Sequence, residues 1–310
     1  MASPAVYKMF PGFFKSKVML CLFVAILGCL ATAETARSAN VSGQKIKELH
    51  DISYKHGAAL TDYEKERCKL DLYLPADATN CATLVWFHGG ALSGGRKDDP
   101  FTVKISRSLA QGRVAVVSVN YRLSPTAKYP AYIEDAAAAF AWVRKNIATY
   151  GGDTTKVFVG GHSAGGYLTA LVGLDARYLK VHGLSPDAIA GLIPVSGQMM
   201  THYTIRGERG LPKSVVIADD GAPVYHAAKE TPPWLVVFAD KDMATRAEEN
   251  VYFISVLKAV GNQRVKHLQI DGRDHGSVAG KIADAEDPAR LAILAFIEEV
   301  SRGSAAKLSR

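Results

Sequence analysis

Residues 160–166 read Gly-Gly-His-Ser-Ala-Gly-Gly, directly after the apolar run Val157-Phe158-Val159 and directly before a helical pattern over residues 164–179. A strand that turns at once into a helix commits the chain to packed layers of the two, because each must bury its apolar face on the other. Gly161 and Gly165 fit a turn so tight that side chains there would strike the neighbouring strand and helix. Ser163, at the centre of such a strand-to-helix turn, is held in a strained conformation with its hydroxyl exposed. The free N–H groups of the helix N-terminus face whatever negative charge forms beside it. Ser163 is therefore the candidate nucleophile.

The rest of the chain repeats the strand-then-helix rhythm from about Ile52. Residues 69–74 alternate polar and apolar, as a half-buried strand does, and Pro75 ends them. Residues 82–87, 114–119, 157–160, 189–195, 234–238 and 265–270 are nearly continuous apolar runs, the pattern of strands covered on both faces. Helical spacing occupies residues 131–148, 164–179, 247–260 and 288–300. Alternating strands and helices imply right-handed crossovers and a largely parallel sheet. The first two strands have no helix between them, which implies an antiparallel start. One domain over residues 50–302 accounts for this, with a lead-in at 34–49 and a short basic tail, expected to be disordered, at 303–310.

Acyl transfer places negative charge on an oxygen, which fixed N–H donors stabilise. His88-Gly89-Gly90-Ala91 leaves a buried strand upstream of Ser163, and Gly89 and Gly90 let the backbone approach closely. They are the expected oxyanion donors, with the N–H of Ala164. Ser93-Gly94-Gly95 lacks the Gly-Lys-Ser/Thr ending of a phosphate loop. A serine hydroxyl needs a base, and the base needs a group that holds its tautomer. The strand at 234–238 runs into Ala239-Asp240-Lys241-Asp242, and the last strand into Gly272-Arg273-Asp274-His275-Gly276. Both emerge at the sheet edge where Ser163 lies, so His275 is the candidate base. Asp242 is the favoured acid, and Asp240 is the alternative, which otherwise braces its loop. Asp271 and Asp274 stand too near His275 in sequence to orient it. His88 and His162 flank the motif residues and suit local packing or hydrogen bonding.

The chain opens differently. Lys8, Lys15 and Lys17 precede an apolar run over residues 18–30, and Ala31-Thr32-Ala33 offers small residues for cleavage. A basic start, an apolar stretch of about 13 residues and A-x-A read as a secretory signal over residues 1–33, too short to cross a bilayer. Lipidation at Cys29, after Gly28, and an uncleaved anchor are the alternatives, and only these bring in a membrane. The formal charge of +7 includes those three lysines. No Lys/Arg block or aromatic-basic stripe points to nucleic acid, and no metal cluster or cofactor motif stands out.

His88-Gly89-Gly90, Asn120-Tyr121-Arg122-Leu123-Ser124, Gly161-His162-Ser163-Ala164-Gly165-Gly166 and Asp240-Lys241-Asp242 resemble the esterase/lipase branch of the α/β-hydrolase superfamily. Within it the chain is most similar to feruloyl-esterase-like and kynurenine-formamidase-like carboxylesterases, over about residues 50–302. The resemblance implies an eight-stranded, mostly parallel sheet in the order 1-2-4-3-5-6-7-8, with helices on both faces. It also implies that Arg122 and Asp135 form a structural ion pair. Ala91 and His162 depart from hormone-sensitive-lipase relatives, which carry a third glycine and an aspartate there. The implied strand order puts Cys68 at the start of strand 2 and Cys81 at the start of strand 3, at opposite ends of the sheet and too far apart for a disulfide.

About 35 residues separate the strands at 189 and 234, and inserts at this point cover the site in such folds. Met199, Met200 and Tyr203 are candidate substrate-binding residues; their alternative is loop anchoring. No large cap is evident, which favours small or protruding esters. The implied activity is hydrolysis of a small-molecule carboxylic ester through an acyl-enzyme, by an exported protein, periplasmic or secreted. Arylformamidase or peptidase chemistry on the same triad is one rival, disfavoured for peptides by the lack of a gating domain. A non-catalytic binding protein on a hydrolase fold is the other.

Overall fold

A computed structural model describes residues 45–308 apart from Lys213, with side chains as far as Gly303. The expected signal over residues 1–33, Cys29 and the start of the lead-in lie outside the described residues.

Eight strands form one sheet in the order β1-β2-β4-β3-β5-β6-β7-β8. They are β1 (Ile46–Ser53), β2 (Lys69–Pro75), β3 (Cys81–Phe87), β4 (Ala115–Val119), β5 (Gly152–His162), β6 (Leu192–Val195), β7 (Trp234–Lys241) and β8 (Val265–Asp274). β1 and β2 pair antiparallel, as do β2 and β4, and every later pairing is parallel. The helices are α1 (Asp62–Arg67), α2 (Pro100–Gln111), α3 (Ala131–Asn146), α4 (Ala164–Leu174), α5 (Ala176–Lys180), α6 (Tyr203–Glu208), α7 (Arg246–Ala259), α8 (Ser277–Gly280) and α9 (Pro288–Leu308).

From β2 to β7 the sheet is buried on both faces, and successive strand residues supply opposite cores; β8, expected to be covered on both faces, is an edge strand in which only Ile270 is buried. Val85, Phe87, Val117, Val159, Val236 and Phe238 face α3, α4 and α7, whereas Leu84, Trp86, Val116, Phe158 and Val237 face α2 and α9. This period of two explains why the inner strands read as unbroken apolar runs. Each fully buried large side chain contributes roughly 1.5–3 kcal/mol relative to exposure. Local signals agree with the packing: Thr61 and Glu64 form a reciprocal capping box at α1, and Glu134 opens α3 while Arg144 and Lys145 close it.

The structure moves several boundaries, among them that of β6, which begins at Leu192 rather than at residue 189. β1 begins at Ile46, inside the expected lead-in. This edge strand carries four charged or histidine side chains and has no fully buried residue, so it shows no apolar run. The single helix expected over 164–179 breaks after Leu174. Asp175 turns extended there, and its carboxylate caps α5 by accepting from the N–H of Arg177. The tail expected to be disordered from residue 303 continues α9 as far as Leu308. Ser304-Ala305-Ala306-Lys307-Leu308 contains no helix breaker, and the glycine at 303 costs a helix only about 1 kcal/mol. Cys68 lies just before β2 and Cys81 at the opposite, N-terminal end of β3, and both are free thiols.

Candidate active site

Packing constraints fold the Ser163 turn. A Cβ on Gly165 would overlap the carbonyl of Phe87 at the end of β3, and one on Gly161 would stand 2.6 Å from the same oxygen. The turn can close against β3 only with hydrogen at both positions. Ser163 itself takes φ 56° and ψ −115°, a conformation that costs a non-glycine residue of the order of 1–3 kcal/mol. Its N–H donates to Val195 (2.9 Å), and its carbonyl accepts from Tyr167 N–H (3.0 Å) as the first bond of α4. The N–H of Ala164, in the first turn of α4, has no partner within the helix.

β7 and β8 bring the other two groups. Their parallel register pairs Lys241 with Asp274, so the next residue of each strand, Asp242 and His275, emerge side by side. His275 Nε2 lies 2.8 Å from Ser163 Oγ, and His275 Nδ1 lies 2.6 Å from Asp242 Oδ1. An ionised carboxylate only accepts, so Nδ1 carries the proton and Nε2 is free to accept from the serine hydroxyl. The three residues expected from sequence therefore form one relay. A hydroxyl bonded to an imidazole whose far nitrogen is held by a buried carboxylate is the arrangement that activates serine for attack.

The Asp242 carboxylate is fully buried. Burial alone would raise its pKa, but hydrogen bonds from His275 and from Ser196 Oγ, 2.5 Å from Oδ2, together hold it below the usual carboxylate range. Met243 N–H adds a further bond to Oδ1 at 2.7 Å. Ser196 was not among the expected residues. Its signal in the sequence is a serine directly after β6, before Gly197, at the edge where Ser163 and Asp242 emerge. Asp240 takes the bracing role: it accepts from Arg273 N–H at 3.0 Å and ties β7 to β8.

The His88–Ala91 segment lies against the nucleophile. A Cβ on Gly89 would sit 3.4 Å from Ser163 Cβ, and Gly90, Ala91 and Leu92 all adopt positive φ, at 107°, 61° and 59°. Among the described residues no backbone acceptor takes the N–H of Gly89 or Gly90. The segment is held from behind. His88 Nδ1–H donates to Gly89 O (2.6 Å), the His88 ring stacks on Tyr121 at 4.4 Å, and Tyr121 Oη–H donates to His88 O. Thr204 Oγ–H donates to Ala91 O at 2.5 Å. Unpaired N–H groups of Gly89, Gly90 and Ala164 thus flank Ser163, the layout that receives an oxyanion.

The substrate-binding candidates separate. Met199 has no surface that water can reach and packs in the core against Gly197, so it lines no pocket. Met200 is half-buried against the same core. Tyr203 lines a cavity of about 550 Å³ with Ala91, Ser93, Ser124, Thr204 and Glu208, beside the Gly89-Gly90 loop. Arg122 meets Asp135 through two bonds of 2.8 Å and makes no hydrogen bond to a relay residue, as a structural pair does. Among the described residues no group of His, Cys, Asp or Glu is arranged to hold a metal.

Residues 132–303, more than half of the chain and including all three relay residues, match the prolyl oligopeptidase family. The chain belongs to that family of α/β-hydrolases. Residues 70–187 match the BD-FAE family as well. Esterase LipC of Mycobacterium tuberculosis is 30% identical over 72% of this chain and 59% of its own length. Carboxylesterase NlhH of the same species is 37% identical over 48% of this chain and 43% of its own. The chain thus spans about half the length of these curated relatives. Among solved structures, a truncated carbohydrate esterase from gut microbiota superposes with a TM-score of 0.67 at 20% identity, covering 83% of this chain and 96% of that one. That last likeness concerns the fold.

Proposed function

We propose that this α/β-hydrolase is a serine carboxylesterase. The observation that carries the reading is the bridge made by His275, 2.8 Å from Ser163 Oγ and 2.6 Å from Asp242. The esterase and carboxylesterase relatives support the choice of ester over other acyl substrates.

In this mechanism Ser163 Oγ attacks the ester carbonyl carbon while His275 Nε2 takes the hydroxyl proton. The resulting imidazolium is stabilised by buried, ionised Asp242. The carbonyl oxygen becomes an oxyanion and rests on the N–H groups of Gly89 or Gly90 and Ala164, each such donor contributing roughly 10²–10³ in rate. Collapse of the intermediate breaks the C–O bond to the alcohol, which leaves with the proton from His275. Water, deprotonated by the same imidazole, then attacks the acyl-enzyme and releases the acid and free Ser163.

We also place the protein outside the cytoplasm, on the basic, apolar and A-x-A pattern of residues 1–33. A second reading, hydrolysis of a peptide amide, has the match over residues 132–303 in its favour. Turnover of p-nitrophenyl acetate, set against a peptide p-nitroanilide, decides between them. The expected result is ester turnover that Ser163→Ala abolishes with the fold intact; turnover surviving that substitution would sink the proposal.

A further inference from the structure

His162 has no part in the mechanism above, yet it touches three of its components. It immediately precedes Ser163 and is only 8% exposed. Its Nε2 lies 2.7 Å from the main-chain carbonyl of His275. A carbonyl only accepts, so Nε2 carries the hydrogen and the ring's lone pair is on Nδ1. The ring stands against the His275 imidazole at 4.7 Å between centroids. Its other neighbours are Phe101, at 5.9 Å, and Gly89, whose Cβ would lie 3.3 Å from His162 Nδ1.

These contacts have a consequence for the base. His275 follows the last residue of β8, in a stretch where the next residues are a glycine and the short helix α8. The side chain holds Ser163 and Asp242 at its two ends, but those bonds do not fix where the main chain sits. A misplacement of about 1 Å in such a relay costs up to about 10²-fold in rate. The bond from His162 fixes that main chain from β5, the strand that carries the nucleophile. Burial, and next the adjacent His275, push the His162 pKa down to about 3. The ring is therefore neutral while its neighbour cycles through the imidazolium.

We propose that His162 is a positioning residue for the general base, its Nε2–H fixing the His275 carbonyl while its ring forms the wall along which the His275 imidazole is aligned. The inference rests on the reading of Ser163 and His275 as nucleophile and base. Two variants test it. His162→Phe keeps a flat ring and removes the donor; His162→Gln supplies an amide N–H at similar reach. The readouts are kcat and KM for p-nitrophenyl acetate and the rate constant of labelling by a fluorophosphonate.

His162→Phe is expected to lower kcat and the labelling rate about 10–100-fold with KM changed less than about twofold, and His162→Gln to recover most of that loss. A His162→Phe protein within about twofold of the parent, or a Gln variant no better than Phe, would overturn the proposal. Nitrogen-15 NMR of the unsubstituted protein gives a readout independent of activity and of variant folding. The His162 ring is expected to remain the neutral Nε2–H tautomer from pH 8 to pH 5, and titration within that range contradicts the role. A parent protein that fails to react with the fluorophosphonate at all defeats the serine-hydrolase reading instead, and the NMR result still decides the bond.

Discussion

Asp242 carries a charge in a place with no access to water, and the groups around it explain how. Its two oxygens receive three hydrogen bonds, from His275, Ser196 and Met243. Those bonds outweigh the burial that would neutralise it, so the folded pKa lies below the ordinary aspartate value of 3.8. The corresponding stability is present above the unfolded value and is lost as pH falls through the folded one. Ser196 is therefore part of the relay as a positioning group, through the carboxylate rather than by touching substrate. A hydrogen bond to a charged group is worth about 1.5–3 kcal/mol. Ser196→Ala is expected to lower kcat for p-nitrophenyl acetate at least about tenfold, with KM little changed; steady-state kinetics at pH 7.5 measure it. An unaltered kcat would show that the Ser196 bond is dispensable.

At the level of elements, legibility followed burial. The inner strands are covered on both faces, so their apolar runs stood out, and their glycine- or aspartate-bearing ends identified Ser163, Asp242 and His275 by position. The strand order came from family likeness; no local pattern encodes which strands are neighbours. β1 carries no such apolar signal, because this charged edge strand has no fully buried residue. The break between α4 and α5 hung on one capping aspartate, Asp175, in an otherwise helical pattern. Met199 and Ser196 mark a different limit. Both lie just after β6, where the chain's course is set by the buried residues of α7: Glu249 accepts from Met199 N–H at 3.1 Å, and Arg246 donates to Ser196 O at 2.8 Å. A reading along the chain does not reveal that a helix about 50 residues on dictates which of these side chains faces inward.

At the scale of the whole molecule, three histidines among the described residues are buried without charge: His88, His162 and His202. Desolvation, the largest cause in each, drives their pKa values down, to about 3 for His88 and His162 and well below the ordinary histidine value for His202. The unfolded chain takes up a proton at each ring as pH falls through about 6.5, and the folded chain does not. Stability from these rings is therefore complete above that pH and declines below it, by of the order of 1 kcal/mol per pH unit for each ring, until the folded values are reached. The urea midpoint is expected to fall clearly between pH 7.5 and pH 5, and a constant midpoint over that range would contradict the burial of neutral rings. The central claim concerns Ser163 itself. Treating the protein with a fluorophosphonate and mapping the adduct by peptide mass spectrometry tests it most directly. The account predicts one stoichiometric adduct on Ser163, absent from His275→Ala under the same conditions; no adduct, or an adduct on another serine, would contradict it.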